Sequence, residues 1–111
     1  MADQEYTVQL RKGVLEIAVL LLITEKALYG YEIITQLERY GLEVVQGTLY
    51  PLLTRLHKEG LVDYSWEESQ QGPPRKYYQL TEKGSEKLHA MVHDWKQMMD
   101  SMKKLLAAWK A

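Results

Sequence analysis

The chain has 111 residues, enough for one compact domain with one appended element and too few for a multidomain protein. Hydrophobic residues make up 46% and charged residues 26%, which is typical of a globular protein, and the lack of cysteine excludes disulfides, thiolate metal sites and a cysteine nucleophile. The net charge is −1, so any surface that binds nucleic acid must be local. The longest apolar run, Ile17–Ile23, is too short to span a membrane, and the acidic N-terminus lacks a signal-peptide pattern. These features predict a cytoplasmic protein without a membrane partner.

Helical spacing of apolar residues predicts two helices in the first part of the chain. The first covers Leu10–Ile23, where a broad apolar stripe is typical of a mostly buried helix. A strand over Ile17–Ile23 fits the composition, but the length of the whole pattern favours a helix. The second covers Tyr31–Tyr40 and ends at Gly41, which has the place that glycine takes after a helix C-terminus.

A third helix is predicted to end at about Glu59, before Gly60. Pro51 has no backbone N–H and therefore belongs to the first turn, which places the start near Gly47 or Thr48. The apolar side of this helix is a stripe at spacings i, i+3, i+4 and i+7, formed by Leu49, Leu52, Leu53 and Leu56.

The sequence period then changes to that of a strand. Aromatic and aliphatic residues alternate with polar ones from Val62 to Glu67, and Arg75–Thr81 is again strand-like. We therefore predict a two-stranded hairpin with a six-residue polar tip, Ser69–Pro74. Because two strands alone are marginally stable, the hairpin must pack against the helices.

A long final helix is predicted from Glu82 to Lys110, with Thr81 as its N-cap. At 1.5 Å per residue it would be about 43 Å long, more than the width of a domain of this size, so helix one of the same chain cannot cover its whole apolar stripe. The stripe repeats every seven residues and predicts a dimer interface. Its members are Leu88, Met91, Val92, Trp95, Met98, Met99, Met102, Leu105, Leu106 and Trp109.

Three helices followed by a hairpin is the order of a winged helix-turn-helix. Four blocks in addition resemble the PadR family of bacterial transcriptional regulators, in its short form with a single C-terminal helix. They are Lys12–Glu16 (KGVLE), Tyr29–Ile33 (YGYEI), Gly47–Leu53 (GTLYPLL) and Gly72–Thr81 (GPPRKYYQLT). The resemblance implies a mainly α (α+β) fold, with a DNA-binding domain over residues 1–81 and a dimerisation helix over residues 82–111. It also implies that this last helix packs against the partner subunit and its first helix.

The side of the third helix opposite its leucine stripe is the candidate DNA-reading face, because the recognition helix of this fold enters the major groove. Its residues are Thr48, Pro51, Thr54, Arg55 and Lys58, with Tyr50 at the edge. Arg75 and Lys76 in the wing are predicted phosphate contacts, and the resemblance to the PadR family implies the same role for Arg11 and Lys12 on the first helix. The alternative for the α3 face and for the cations of the first helix is an ordinary solvated surface, and for the wing cations it is a charged edge strand that discourages aggregation. The 8 basic against 11 acidic side chains of residues 1–81 predict weak nonspecific binding unless the acids lie on the far side.

Other polar patterns predict neither catalysis nor a cofactor. His89 and His93, with Glu86 three residues earlier, have a spacing that can hold a metal, but they lie beside the apolar stripe and lack a complete zinc signature. We predict no metal site. Glu16 interrupts an apolar stretch and is expected to pair with a cation or a tyrosine hydroxyl. No arrangement of nucleophile, base and orienting group is present, so we do not expect an enzyme.

The combined prediction is a homodimeric transcriptional repressor that binds double-stranded operator DNA and responds to a small hydrophobic or aromatic effector. The expected effector site lies at the dimer centre, around Trp95, Met91, Met98 and Met99, where the resemblance to drug-responsive PadR-like proteins places a central tryptophan. A multidrug-sensing member with its ligand between the two Trp95 rings is one alternative. A winged-helix adaptor that binds proteins instead of DNA is another, and Trp95 as simple core filling is a third.

Overall fold

The computed structural model describes residues 4–110, which form four helices and a small antiparallel sheet. In chain order the elements are α1 (Gln4–Leu22), β1 (Leu28–Tyr29), α2 (Gly30–Arg39), α3 (Gln46–Lys58), β2 (Val62–Ser69), β3 (Gly72–Leu80) and α4 (Glu82–Ala108). The strand order is β1-β3-β2. This arrangement confirms the predicted mainly α winged helix-turn-helix, in which α2 and α3 form the helix-turn-helix and the β2–β3 hairpin forms the wing.

Three helices begin earlier than predicted, α2 by a single residue, since it covers Gly30–Arg39 instead of Tyr31–Tyr40. Helix α1 begins at Gln4 instead of Leu10. This start was not predicted because the first turns are mostly exposed and show no apolar periodicity. Helix α3 begins at Gln46, which makes Pro51 the sixth helical residue instead of a member of the first turn. The N–H that proline lacks would have paired with the carbonyl of Gly47, and that residue is exposed, where water can satisfy it.

The wing differs from the prediction in two ways. The polar tip has two residues, Gln70 and Gln71, instead of six, because the strands continue to Ser69 and resume at Gly72. The sheet has three strands instead of two. The additional strand is β1, in which Leu28 pairs with Tyr78 and Tyr29 pairs with Tyr77 of β3. A strand of two residues is too short to show a period of two, so this pairing with β3 left no pattern in the sequence.

The hydrophobic core lies between α1, α2, α3, the base of the sheet and the start of α4. Its fully buried side chains come from the first three helices, from Ile23 directly after α1, from Leu61 after α3 and from Val62 at the start of β2. Those of the helices are Val19, Leu20, Ile33, Leu37, Leu49, Leu53 and Leu56. The glycines predicted to end α2 and α3 both have a positive φ, +84° at Gly41 and +78° at Gly60, which confirms their role at the helix C-termini.

Helix α4 is anchored to the core through its first turn. Thr81 is its N-cap, as predicted: its hydroxyl oxygen accepts a hydrogen bond of 2.9 Å from the N–H of Gly84 and donates one of 2.7 Å to the carbonyl of Gly60. Gly84 lies so close to the carbonyl of Leu61 that a side chain at this position would collide with it. This close approach joins α4 to the end of α3.

The rest of α4 leaves the core. Leu88, predicted to lie in the dimer interface, is only 5% exposed and belongs to the core of its own chain, because the first turns of α4 still lie on the domain. Met91, Val92 and Trp95 are partly covered, and every side chain from Lys96 to Lys110 is exposed. In the part of the chain that the structure describes, no helix has both the length and the hydrophobicity needed to cross a membrane.

Candidate DNA-binding surface

Helix α3 presents its predicted reading face to the outside. Thr48, Tyr50, Pro51, Thr54, Arg55 and Lys58 are all exposed, whereas Leu49, Leu53 and Leu56 on the opposite side are completely buried. The hydroxyl of Thr54 donates a 3.0 Å hydrogen bond to the carbonyl of Tyr50, so only its oxygen lone pairs are free to accept a further bond. The face is therefore made of short hydroxyl groups, a proline and an aromatic ring near the start of the helix, with cations towards the end.

Tyr50 is held at the edge of this face by α2. Its ring lies over Gly30, the first residue of α2, and stays 42% exposed. A Cβ atom at position 30 would lie 2.7 Å from the ring atoms Cε1 and Cζ. The backbone N–H of the preceding Tyr29 donates a 3.2 Å hydrogen bond to Glu32, which fixes the start of α2. The Tyr50 ring thus packs against α2 on one side and faces solvent on the other, instead of projecting freely.

Two cations lie beside the beginning of α3. Arg11 and Lys12 of α1 line an open cleft of about 420 Å³ together with Thr48, the third residue of α3. Apolar residues and the acidic Glu38 and Glu43 complete the lining of the cleft. Within the described residues neither cation takes part in an ion pair. The fold therefore brings together three predicted DNA contacts, of which the outermost two, Arg11 and Thr48, are 37 residues apart in the sequence.

The wing lies at the other end of α3. The imidazole of His57, in the last turn of α3, packs against the ring of Tyr64 in β2, with 4.9 Å between the ring centroids. The wing thereby flanks the C-terminal end of the reading face, opposite the cations of α1.

The two wing cations rest on aromatic rings. The guanidinium carbon of Arg75 lies 4.4 Å from the ring centroid of Tyr29, and Nζ of Lys76 lies 4.4 Å from that of Tyr64 and 5.2 Å from that of Trp66. Because neighbouring residues of a strand point to opposite faces, the two cations lie on opposite faces of the wing. The cations were predicted from the sequence but these aromatic supports were not, because the ring under Arg75 comes from β1 and the rings under Lys76 depend on the register of the wing.

Tyr78 of β3 is a buried residue of the wing. Its ring centroid is 5.8 Å from that of Tyr64, and the residue is 6% exposed. Burial, followed by the proximity of Tyr50 and Tyr64, raises the pKa of Tyr78. Its hydroxyl is therefore neutral at pH 7 and adds no charge to the surface.

Arg55 differs from the other predicted contacts because two carboxylates bind it. Nη1 lies 2.9 Å from Glu59 and Nη2 lies 3.5 Å from Glu16 of α1. Partial burial opposes protonation, but the hydrogen bond to Glu59 and the charges of Glu16 and Glu59 outweigh it and raise the pKa of Arg55. The expectation that Glu16 pairs with a cation is confirmed, and the cation is one that had been predicted to read DNA.

The histidines of α4 do not come together with acids. Within residues 4–110 no group of three or more His, Asp and Glu side chains is arranged to hold a metal ion. Nδ1 of His89 lies 2.8 Å from the carbonyl oxygen of Ser85 and can donate to it within the helix.

Comparison with known proteins identifies the family. The model of the PadR-like family of transcriptional regulators matches residues 19–90. A PadR-like transcription factor from Bacteroides fragilis is 44% identical, with 91% of this chain and 98% of that chain covered and a TM-score of 0.76. A PadR-like transcriptional regulator from Bacillus cereus is 39% identical, with 91% and 99% covered and a TM-score of 0.83.

A third solved structure is that of Bacillus subtilis PadR in complex with operator DNA. It is 28% identical and covers 71% of this chain and 45% of that chain, with a TM-score of 0.67. The family resemblance predicted from the four sequence blocks is thereby confirmed. The chain belongs to the PadR-like family of transcriptional regulators, which are DNA-binding proteins and not enzymes.

Proposed function

We propose that this protein is a homodimeric transcriptional repressor that binds operator DNA through α3 and the wing. The observation that carries the proposal is the layout of α3, whose exposed face has the α1 cations beside its first turn and the wing beside its last turn. The Bacillus subtilis relative, whose structure contains operator DNA, supports the same use of this fold.

The proposed contacts divide by chemistry. Residues near the start of α3 contact base edges, because the N-terminal part of a recognition helix reaches the floor of the major groove. Cations on α1, at the end of α3 and in the wing bind phosphates, which positions the protein without reading sequence. The base-contacting group is Thr48, Tyr50, Pro51 and Thr54, and the phosphate-binding group is Arg11, Lys12, Lys58, Arg75 and Lys76.

The proposed dimer uses the part of α4 that its own chain leaves uncovered. Large apolar side chains there are between 46% and 72% exposed: Met98, Met99, Met102, Leu105, Leu106 and Trp109. Met91, Val92 and Trp95 continue the same stripe towards the core. A second copy would bury this surface and place two reading faces in a symmetric arrangement, which requires half-sites about one helical turn apart or a multiple of it. Residues 82–111 then serve dimerisation and residues 1–81 serve DNA binding.

The proposed effector site lies where the stripe meets the core. Trp95 and Met91 are half-buried in one chain, and Met98 and Met99 are exposed next to them. In a dimer these side chains line a region that is aromatic and adaptable, which suits a flat hydrophobic ligand. A ligand there relieves repression only to the extent that it prefers an arrangement of the two reading faces that differs from the DNA-bound one.

The DNA-binding proposal is tested by titrating a DNA duplex from the promoter upstream of the protein's own gene with the protein. The expected result is tighter binding to this duplex than to a scrambled duplex of equal length, with an affinity that falls as salt rises. Reduced transcription from that promoter in vitro tests the repressor role. Equal weak binding to both duplexes would contradict the proposal and favour the protein-binding adaptor, for which the excess of acids in residues 1–81 is the supporting observation.

A further inference from the structure

Arg55 connects two helices that carry different parts of the proposed function. It lies on α3, and its Nη2 is 3.5 Å from Oε2 of Glu16 on α1, while its Nη1 is 2.9 Å from Oε2 of Glu59, the C-cap residue of α3. The side chain of Glu16 is 25% exposed and that of Arg55 is 49% exposed, so the carboxylate is the less accessible of the two partners. The ion pair therefore links α3 to α1.

The surroundings of Arg55 argue against a base contact. It is the tenth residue of α3 and follows Thr54, the last of the proposed base contacts. An arginine that reads a guanine uses two N–H groups of its guanidinium side by side. Both terminal nitrogens of Arg55 instead lie within 3.5 Å of a carboxylate, so they are not free for a base edge.

The charge around Arg55 argues against a phosphate contact. Both terminal nitrogens of the guanidinium face a carboxylate, and two carboxylates with one guanidinium give the cluster a formal charge of −1. A phosphate would have to displace one of them or accept their repulsion. Lys58, one turn from Arg55 on the same face, has no ion-pair partner within the described residues and is the better phosphate ligand.

We propose that Arg55 and Glu16 are positioning residues for DNA recognition: their ion pair sets the orientation of α3 relative to α1, and Arg55 itself does not contact DNA. The proposal rests on the proposed function, because it concerns how the reading face of α3 is held. It reassigns Arg55 from the predicted set of DNA contacts and gives Glu16 a role in DNA recognition.

A double-mutant cycle in DNA binding tests the proposal, with Glu16→Gln, Arg55→Gln and the double variant measured by fluorescence anisotropy over a salt series. The probes are the promoter duplex and its scrambled counterpart. Each single variant is expected to weaken promoter binding about two- to fivefold, the range of a half-exposed ion pair, with scrambled-duplex binding unchanged. The double variant is expected to be no weaker than either single variant, because both changes remove the same interaction.

The salt dependence separates positioning from contact. Arg55→Gln is expected to keep the log–log salt slope of the parent, whereas the comparator Lys58→Gln lowers its magnitude by about one. A lower slope in Arg55→Gln, together with unchanged promoter binding in Glu16→Gln, would overturn the proposal and make Arg55 a DNA contact. Additive losses in the double variant would overturn it as well.

The same four proteins are unfolded with urea, which tests the ion pair without DNA. The effects of the two substitutions on the free energy of unfolding are expected to be non-additive in this cycle. Additive effects would overturn the proposal whatever the DNA result. If the parent does not distinguish the promoter from the scrambled duplex, the proposed function fails, and a coupled urea cycle then assigns the pair to stability alone. The two failures are thus distinguishable.

Discussion

The ring of Tyr50 on α3 occupies the space that a side chain at Gly30 would need at the start of α2. A Cβ atom at position 30 would lie 2.7 Å from Cε1 and Cζ of Tyr50, closer than side-chain atoms pack. Glycine at this place therefore allows the aromatic ring to lie between the two helices of the helix-turn-helix. The contact fixes where the phenol is presented at the edge of the reading face.

The first prediction concerns this contact. Gly30→Ala is expected to displace the end of the Tyr50 side chain, which is flexible and 42% exposed, and to change the free energy of unfolding by no more than about 1 kcal/mol. Promoter binding is expected to weaken, because the phenol leaves its place on the reading face. Anisotropy titration and urea unfolding measure the two effects separately.

Tyr50→Phe is the matched comparison for Gly30→Ala. It keeps the ring over Gly30 and removes only the hydroxyl, so it should lose only what that hydroxyl contributes to DNA binding. Parent-like promoter binding by Gly30→Ala would show that the position of the Tyr50 ring is not needed for recognition.

A second prediction concerns the junction of α4 with the core. A Cβ at Gly84 would collide with the carbonyl oxygen of Leu61 and lie 2.9 Å from its carbonyl carbon and from Cδ1 of Leu80. Since backbone cannot move aside as a flexible side chain can, Gly84→Ala is expected to destabilise the fold by about 1–3 kcal/mol. Gly13→Ala is the control, because Gly13 is an exposed helical residue with no atom within 4 Å of its Cβ position, and alanine there is expected to stabilise α1 by about 0.5–1 kcal/mol.

If the close approach of Gly84 to Leu61 is essential, thermal unfolding gives a lower Tm for Gly84→Ala and a higher Tm for Gly13→Ala than for the parent. A Tm of Gly84→Ala equal to that of the parent would mean that α4 can move away from Leu61 without cost.

Features that depend on local chemistry were predictable from the sequence. Thr81 as an N-cap, and Gly41 and Gly60 after the ends of α2 and α3, follow from rules about helix termini and are confirmed. The exposure of the α3 reading face follows from the leucine periodicity on its other side. A cation beside Glu16 was also predictable, since a half-buried carboxylate needs one.

Features that depend on distant partners were not predictable. Strand β1 exists only because Leu28 and Tyr29 pair with β3, almost 50 residues later in the chain. The cover of Leu88 by its own domain depends on how α4 approaches the core, and a heptad pattern alone does not distinguish core from interface. The rings beneath Arg75 and Lys76 depend on strand register and on β1, neither of which the residues around these cations reveal.

A third prediction concerns the cations of the wing. The double variant Arg75→Gln/Lys76→Gln is expected to bind both promoter and scrambled DNA more weakly and to lower the magnitude of the salt slope by about one to two, since each phosphate contact contributes about one. Each cation lies over an aromatic ring within 4.4 Å, which limits its motion before DNA binds. Lys96→Gln on α4 removes one positive charge away from the wing and should leave the slope unchanged. A parent-like slope in the double variant would exclude phosphate contacts by the wing.

A fourth prediction concerns the dimer. Met98 is 58% exposed in a single chain and lies on the apolar stripe of α4, so Met98→Glu is expected to place a charge in the proposed interface and shift the protein to monomers or aggregates. At 100° per residue, the neighbouring Gln97 lies on the side of the helix opposite the centre of the apolar stripe. Gln97→Glu therefore adds the same charge outside the stripe. Sedimentation equilibrium measures both proteins, and Leu105→Glu repeats the test further along the stripe. A dimer that survives both stripe substitutions would place the interface elsewhere.

The fifth prediction concerns the effector site and uses the different surroundings of the three tryptophans. Trp66 and Trp109 are 61% and 72% exposed, whereas Trp95 is half-buried against the core and lies beside the exposed Met98 and Met99. The variant Trp66→Phe/Trp109→Phe leaves Trp95 as the only indole, so its fluorescence reports directly on the proposed site. Titration with planar aromatic cations and with phenolic acids is expected to quench this emission in a saturable way, because a flat ligand stacks on the ring and displaces water from it.

The effector prediction also requires that the ligand act on DNA binding. A compound that quenches Trp95 should lower promoter affinity by about 5- to 150-fold at saturation, the range of ordinary coupling between two sites. In Trp95→Phe, which keeps Trp66 and Trp109, the same compound should neither quench nor release DNA. If no compound quenches the Trp95 signal, or if quenching leaves promoter affinity unchanged, Trp95 fills the dimer core and the effector binds elsewhere.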